Sequence, residues 1–203
     1  HADSGIEHID QIENITLAMS QRPAFSHYLR WKYPLKGVNI VPYPGNVSQF
    51  LANPNFAQQA YIFSEPFVAK AKGGNPRSLL VADIGFNPYA SVLIVTQSTL
   101  QEQPDVVRAV VQASIQGWKH YLEDPGETNK HINSLNPEMG VKILAYGAKA
   151  SQSLVLDGVA KEKGLGYMST ERWNDLHDQM QNASLIKSDR NNVSSAFDTQ
   201  FLK

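Results

Sequence analysis

One short stretch, Gln58 to Gly74, combines a strand signal, a turn and a helix, and it constrains the fold more than any other part of the chain. Ala60 to Phe63 is an apolar run rich in β-forming residues. Ser64 is a favourable helix N-cap, and Pro66 fits the first helical turn, where its missing N–H costs nothing. The pair Gly73-Gly74 then ends the helix. In an open α/β sheet, such junctions lie at the edge where ligands bind.

The same kind of junction occurs earlier in the chain. Asn14 to Met19 carries apolar residues at alternate positions, which predicts a strand. Ser20 follows as a small hydroxyl cap, and Pro23 begins a helix that turns Phe25 inward and ends before Pro34. A strand therefore again passes into a helix that begins with proline.

Further segments continue this alternation. They are a strand over Val38 to Tyr43, a short helix over Val47 to Ala52 with Asn46 as its cap, and a buried strand over Ser78 to Asp83. Repeated β-α units with right-handed crossovers give a parallel sheet that has helices on its faces. The first part of the chain is therefore predicted to be an α/β domain.

After Asp83 the pattern becomes mainly helical. Ser91 to Thr96 predicts one more strand, and four helical segments follow it: Pro104 to Leu122, a helix from Pro137 capped by Asn136, a helix that starts at Ser169-Thr170-Glu171, and a short helix within 191–203. The apolar faces of these helices need a surface to pack against, which a single strand does not provide.

Composition excludes several classes of protein. The net charge of -1, from 18 basic and 19 acidic residues, argues against a nucleic-acid surface. Cysteine is absent, which excludes disulfides and thiol nucleophiles, and no apolar run approaches the roughly 20 residues of a membrane helix. The six histidines lack metal-ligand spacing, and no nucleophile elbow or phosphate-binding loop is present. We therefore expect no catalytic residues, no metal and no cofactor.

Four stretches in order resemble the SsuA/THI5-like (NMT1/THI5-like) solute-binding proteins of ABC transporters. They are Thr16 to Phe25, the run Gln59 to Phe67 followed by Gly73, Val92 to Trp118, and Gly166 to Trp173. The resemblance covers almost the whole chain, from the midpoint of the family pattern onward.

The resemblance implies an α/β fold of the periplasmic-binding-protein type II, which is bilobed. Residues 1–13 are expected to be a leader or linker, 14–90 a complete parallel-sheet lobe two, and 91–203 the return strand and C-terminal helices of lobe one. The N-terminal part of lobe one is then expected to be truncated, processed away or supplied by another chain. Association of the chain with itself is expected for the same reason.

The two junctions supply the candidate site residues. Ser20, Gln21 and Arg22 form an anion site if the backbone N–H groups and the guanidinium face a ligand; otherwise Ser20 only caps the helix while Arg22 lies in solvent. Ser64 and Glu65 lie in the second junction. Glu65 either accepts hydrogen bonds from an amine or protonated ring of the ligand, or only complements the helix dipole.

Four aromatic residues complete the candidate site. Phe25, Tyr61, Phe86 and Tyr89 either line an apolar slot for a small organic ligand or belong to the core. Tyr89 is placed in a presumed hinge, where crossing strands allow the two lobes to close on a ligand.

The resemblance implies a substrate-binding component of an ABC-type importer. The expected ligand is an alkanesulfonate, taurine, nitrate or a thiamine-pyrimidine precursor, and the expected partner is a membrane permease, with a periplasmic or extracytoplasmic location. One alternative is a pyrimidine synthase like the eukaryotic branch of the family, which bound pyridoxal phosphate would indicate. Another is the effector-binding part of a LysR-type regulator, which requires a helix-turn-helix upstream.

Overall fold

A computed structural model describes residues 1–156, 158–187 and 190–202. The chain divides into two compact units. The first contains His1–Asn87 and Asn174–Arg190, and the second contains Pro88–Trp173 and Asn191–Lys203.

The first unit is built around a three-stranded parallel sheet. Its strands are β1 (Thr16–Ala18), β2 (Asn39–Val41) and β3 (Phe56–Gln58), in the order β2-β1-β3. Leu17 of β1 is paired with Ile40 of β2 and with Ala57 of β3. The predicted α/β class with a parallel sheet is confirmed.

Helices cover both faces of this sheet. They are α1 (Ala24–Lys32), α2 (Ser48–Ala52) and α3 (Glu65–Ala71). Two clusters of buried side chains form the contacts between the sheet and the segments packed on its two faces. One contains Ala18, Val47, Phe50, Phe56 and Ala69, and the other contains Ile9, Leu17, Met19 and Leu29. Successive β1 residues alternate between the two clusters, as the pleat of a strand requires.

The predicted strand over Ala60 to Phe63 is wrong. The strand lies earlier, at β3, and the apolar run forms a turn in which the Ser64 N–H bonds the Tyr61 carbonyl at 2.9 Å. Tyr61 is 65% exposed, so these β-forming residues lie on the surface. The helix that follows begins at Glu65 with Pro66 in its first turn, as predicted.

The predicted strand over Ser78 to Asp83 is also wrong. A 3-10 helix occupies Val81–Ile84 instead, and Leu79, Val81 and Ile84 pack against the cluster around Leu17. The carbonyl of Ile84 accepts hydrogen bonds from Tyr28 and Lys32 of α1. Side chains rather than a neighbouring strand satisfy this backbone group, so the described sheet has one strand fewer than expected.

Helices are the only regular structure among the described residues of the second unit, and irregular segments join them. Its helices are α4 (Gln97–Glu102), α5 (Pro104–Glu123), α6 (Gly126–Leu135), α7 (Val141–Val155) and α8 (Val159–Lys163). Residues 170–173 of α9 (Thr170–Asn182) belong to this unit, and residues 174–182 belong to the first. The predictions of α5 and α9 are confirmed.

The predicted helix from Pro137 is wrong in its start, and α6 was not predicted. Asn136 ends α6, since its N–H bonds the carbonyl of Ile132 at 2.9 Å, and α7 begins only after Gly140. Two 3-10 helices, Arg190–Ser195 and Gln200–Leu202, replace the single short helix expected near the end of the chain. Lys203 lies outside the described residues.

The predicted strand over Ser91 to Thr96 is wrong as well. This segment has no regular structure, and Ile94 is 90% exposed. Val106, Val110 and Trp118 of α5 are also about half exposed. Among the described helices, including the 20-residue α5, none combines the length and apolarity needed to cross a bilayer.

Candidate functional site

The turns that follow β1 and β3 lie side by side at the carboxyl edge of the sheet. The Gln59 N–H bonds the carbonyl of Ala18 at 2.9 Å, and the side-chain Oε1 of Gln59 accepts the Ser20 N–H at 2.7 Å. Parallel pairing places the ends of both strands at one edge, and the Gln59 side chain then ties the two turns together. The two junctions found in the sequence are therefore neighbours.

Side chains of α1 hold the first turn, which contains Ser20 to Arg22, through hydrogen bonds to its carbonyl groups. The hydroxyl of Ser26 donates to the Ser20 carbonyl, and Nη2 of Arg30 donates to the Gln21 carbonyl at 3.1 Å. Gln21 and Arg22 are exposed. Pro23, not Ser20, occupies the N-cap position, so the prediction that Ser20 caps the helix is wrong.

The second turn contains a hydrogen-bonded carboxylate. The Tyr43 hydroxyl donates to Oε1 of Glu65 at 2.5 Å, and the Tyr61 N–H donates to Oε2 at 2.9 Å. Burial, followed by the hydrogen bond and charge of Glu65, raises the pKa of Tyr43 well above its ordinary value. Tyr43 therefore remains a donor over the ordinary pH range. Ser64 is the N-cap of α3, but its side chain makes no capping hydrogen bond.

The predicted aromatic residues divide into exposed and packed groups. Tyr61 stacks on Phe63, with ring centroids 5.1 Å apart, and both rings are exposed. Phe25 is half-buried against the cluster around Leu17. Phe86 is 6% exposed, and its ring centroid lies 4.9 Å from that of Tyr28. Tyr61 is thus the predicted aromatic residue that presents its ring to solvent at the second turn, together with its neighbour Phe63.

Tyr89 belongs to the second unit. Its hydroxyl accepts the Ser169 N–H at 2.8 Å, and its ring centroid lies 4.2 Å from the guanidinium carbon of Arg172. The ring of Trp173 is 5.9 Å away. These contacts use both the hydroxyl and the ring of Tyr89 within its own unit.

Sequence reasoning missed two residues of this edge, Tyr43 and Gln59. Tyr43 lies two positions after the end of β2, and Gln59 directly follows β3. The rule that carboxyl ends of parallel strands meet at one edge would have found both, had the ends of β2 and β3 been predicted correctly.

Two other features of the described residues bear on the site. A groove of about 380 Å³ lies on the α2 face of the sheet. None of the predicted site residues lines it. Its lining residues are Thr16, Val41, Pro42, Gln49, Ala52, Asn53 and Phe56.

Within the described ranges, no three histidine, aspartate or glutamate side chains are grouped as metal ligands.

Comparison with known proteins assigns a family to this chain. Riboflavin-binding protein RibY of Chloroflexus aurantiacus is 26% identical to it over 145 residues, which are 70% of this chain and 41% of the relative. The chain thus spans well under half the length of that relative. A family model described as NMT1/THI5 like matches residues 2–128, which include the whole sheet and both junctions. The chain belongs to the NMT1/THI5-like family.

Proposed function

We propose that the chain is the substrate-binding component of an ABC-type importer and binds a small polar organic solute or oxyanion. Membership of the NMT1/THI5-like family and the similarity to a riboflavin-binding protein both indicate a solute-binding protein. The permease partner, the bilobed receptor architecture and a periplasmic or extracytoplasmic location are parts of this proposal.

The joined turns at the carboxyl edge of the sheet support the proposal most strongly. Ligands of open α/β sheets bind outside the carboxyl ends of the strands. Here the Gln59 side chain holds the Ser20 turn against the end of β3, and Glu65 adds the segment after β2. Three neighbouring strand ends thus contribute to one polar edge, and a few polar groups of this kind fix the orientation of a small solute.

The edge offers two kinds of contact. Arg22 is exposed beside the Ser20 turn, where its guanidinium can donate two parallel hydrogen bonds to a carboxylate, sulfonate or phosphate. The Tyr61 and Phe63 rings offer an apolar surface. We propose that the bound solute leaves chemically unchanged, as in a receptor rather than a synthase.

Calorimetry on the full-length gene product tests the proposal. The ligands are riboflavin, taurine, nitrate, an alkanesulfonate and formylaminopyrimidine, and one of them should bind at micromolar concentration or below. Absence of heat with all five would overturn the proposal. Recovery of a converted product by mass spectrometry would favour the synthase instead, and retention of the protein in the cytosolic fraction would contradict the proposed location.

A matched pair of variants locates the anion contact, if the bound solute is an anion. Arg22→Gln removes a positive charge at the carboxyl edge, and Lys36→Gln removes one from the exposed segment before the amino end of β2. Loss of a charge-assisted contact should weaken binding about tenfold in Arg22→Gln. Lys36→Gln should stay within about twofold, since exposed charges at a distance are screened. Equal effects of both changes would argue against a site at this edge.

A further inference from the structure

Glu65 connects the segments that follow the two outer strands of the sheet. Tyr43 follows β2 and Tyr61 follows β3, and β1 lies between these strands. Oε1 of Glu65 accepts the Tyr43 hydroxyl at 2.5 Å, while Oε2 accepts the Tyr61 N–H at 2.9 Å. The carboxylate therefore bridges the carboxyl end of the central strand.

Tyr61 is fixed on both sides of its peptide backbone. Its N–H donates to Glu65, and its carbonyl accepts the Ser64 N–H at 2.9 Å. These two hydrogen bonds close the turn from Tyr61 to Ser64 and attach it to the start of α3. A rigid base of this kind holds its exposed side chains in place at little further cost in entropy.

The side chains that this turn carries are two aromatic rings. Tyr61 is 65% exposed and Phe63 is 37% exposed, and their rings are nearly parallel, with 19° between the planes. Exposed aromatic side chains offer a rigid contact area, on which a flat ring can stack with little loss of rotamer entropy.

We propose that Glu65 is a positioning residue that holds the Tyr61–Phe63 turn as a platform for a flat ring in the solute, and is not a counter-ion to a ligand amine. This inference rests on the proposed function and narrows its ligand class from small polar organic solutes or oxyanions to solutes with a planar ring system. It also assigns Glu65 a role different from the amine contact considered from the sequence. The protein itself already supplies one donor to each carboxylate oxygen.

Two substitutions of Glu65 distinguish the positioning role from the counter-ion role. Glu65→Gln is neutral but retains the contacts, because its carbonyl accepts the Tyr61 N–H and its amide donates to the Tyr43 oxygen. Glu65→Leu has a similar size and makes neither bond. If Glu65 is a positioning residue, Glu65→Gln should retain ligand binding and Glu65→Leu should lose it. If Glu65 is a counter-ion, both variants should lose ligand binding equally.

The first measurement needs no ligand. Amide hydrogen exchange of Tyr61, followed by NMR in the full-length gene product, should become about tenfold faster in Glu65→Leu, since a hydrogen bond to a charged group is lost. In Glu65→Gln it should remain within about threefold of the parent protein. Unchanged exchange in Glu65→Leu would overturn the positioning role, whatever the ligand is.

The second measurement uses riboflavin as a flat-ring probe and taurine as a probe without a ring. Riboflavin should bind with quenched flavin fluorescence, and Tyr61→Leu should weaken it about tenfold while the exchange of the Tyr61-position amide stays slow. Taurine should not bind. Binding of taurine alone would support the proposed function and overturn this inference, whereas failure of the entire five-ligand panel would overturn the proposed function itself. Equal riboflavin affinity in Tyr61→Leu would overturn the platform.

Discussion

Gln59 gives the most direct test of how the two turns are joined. Its Oε1 accepts the Ser20 N–H at 2.7 Å, and the group is partly buried. Gln59→Met keeps the length of the side chain and removes the acceptor. Because Ser20 is only partly buried, water can replace part of the lost bond, so the cost should be about 1 kcal/mol. This corresponds to roughly fivefold faster amide exchange at Ser20.

Amide exchange measured by NMR resolves this effect from general destabilisation. The neighbouring Met19 N–H bonds the carbonyl of Val41 at 2.9 Å and serves as an internal reference that should not change. Gln59→Glu retains an acceptor and should keep Ser20 within about threefold of the parent protein. Slow exchange at Ser20 in Gln59→Met, or equal acceleration at Ser20 and Met19, would refute the reasoning.

Three further predictions concern the fold and the surface. Gly73 has a φ of 84° with open space around it, so Gly73→Ala should lower the free energy of unfolding by about 1–2 kcal/mol. Gly73→Asn should lower it less, because asparagine tolerates the left-handed conformation better than alanine. Hydrogen exchange of the first unit measures both values. At Gly74 asparagine should be more destabilising than alanine, because a Cβ there would lie 2.6 Å from Cδ2 of Leu51 and the larger asparagine side chain adds to this clash. The raised pKa of Tyr43 predicts that its hydrogen bond stabilises the protein fully below about pH 10 and that this stability is lost as the pH rises through the raised pKa. Tyr43→Phe should therefore remove one tyrosinate transition above pH 10, measured at 295 nm. Ile94→Glu should leave stability unchanged and lower self-association in analytical ultracentrifugation, since Ile94 is 90% exposed.

A specific result would contradict each of these three predictions. The same preference for asparagine at both glycines would refute the steric explanation for Gly74. A Tyr43→Phe protein that keeps every tyrosinate transition of the parent above pH 10 would show that the pKa of Tyr43 is not raised. Unchanged association of Ile94→Glu would show that Ile94 takes no part in self-association, and unfolding of this variant would place Ile94 in packing rather than at the surface.

The sequence predicts those elements of the first unit whose signals are local. Proline in the first turn of α3, the glycines after it, and the alternation in β1 each act within a few residues. They place α1, α3, β1 and β2 correctly, and the parallel sheet follows from chain connectivity.

The sequence does not predict which apolar runs are buried. Ala60 to Phe63, Ser78 to Asp83 and Ser91 to Thr96 all have β-forming composition, yet the first is a turn, the second contains a 3-10 helix, and the third is exposed. Intrinsic β-propensity describes a fit to a pleated, half-buried surface, and tertiary contacts decide whether that surface exists. Ile9 is the opposite case. It lies in the core, although the polar residues around it in the sequence give no signal of burial.

For the candidate site, the sequence predicts where the junction residues lie, but it does not predict the contacts that folding brings to them. Ser20, Arg22 and Glu65 lie near the sheet edge as predicted, but the hydrogen bonds of Glu65 to Tyr43 and Tyr61 depend on the pairing of strands. Phe86 packs against Tyr28, and Tyr89 packs in the second unit, because aromatic residues serve cores and binding sites with the same composition.

A hydrogen-exchange footprint of the full-length gene product, with and without its bound solute, tests the central claim most directly. If the solute binds at the carboxyl edge of the sheet, exchange should slow in residues 20–22 and 59–65, which form the two joined turns. Protection that omits both turns and appears instead in the groove residues Gln49 to Asn53 would contradict this account.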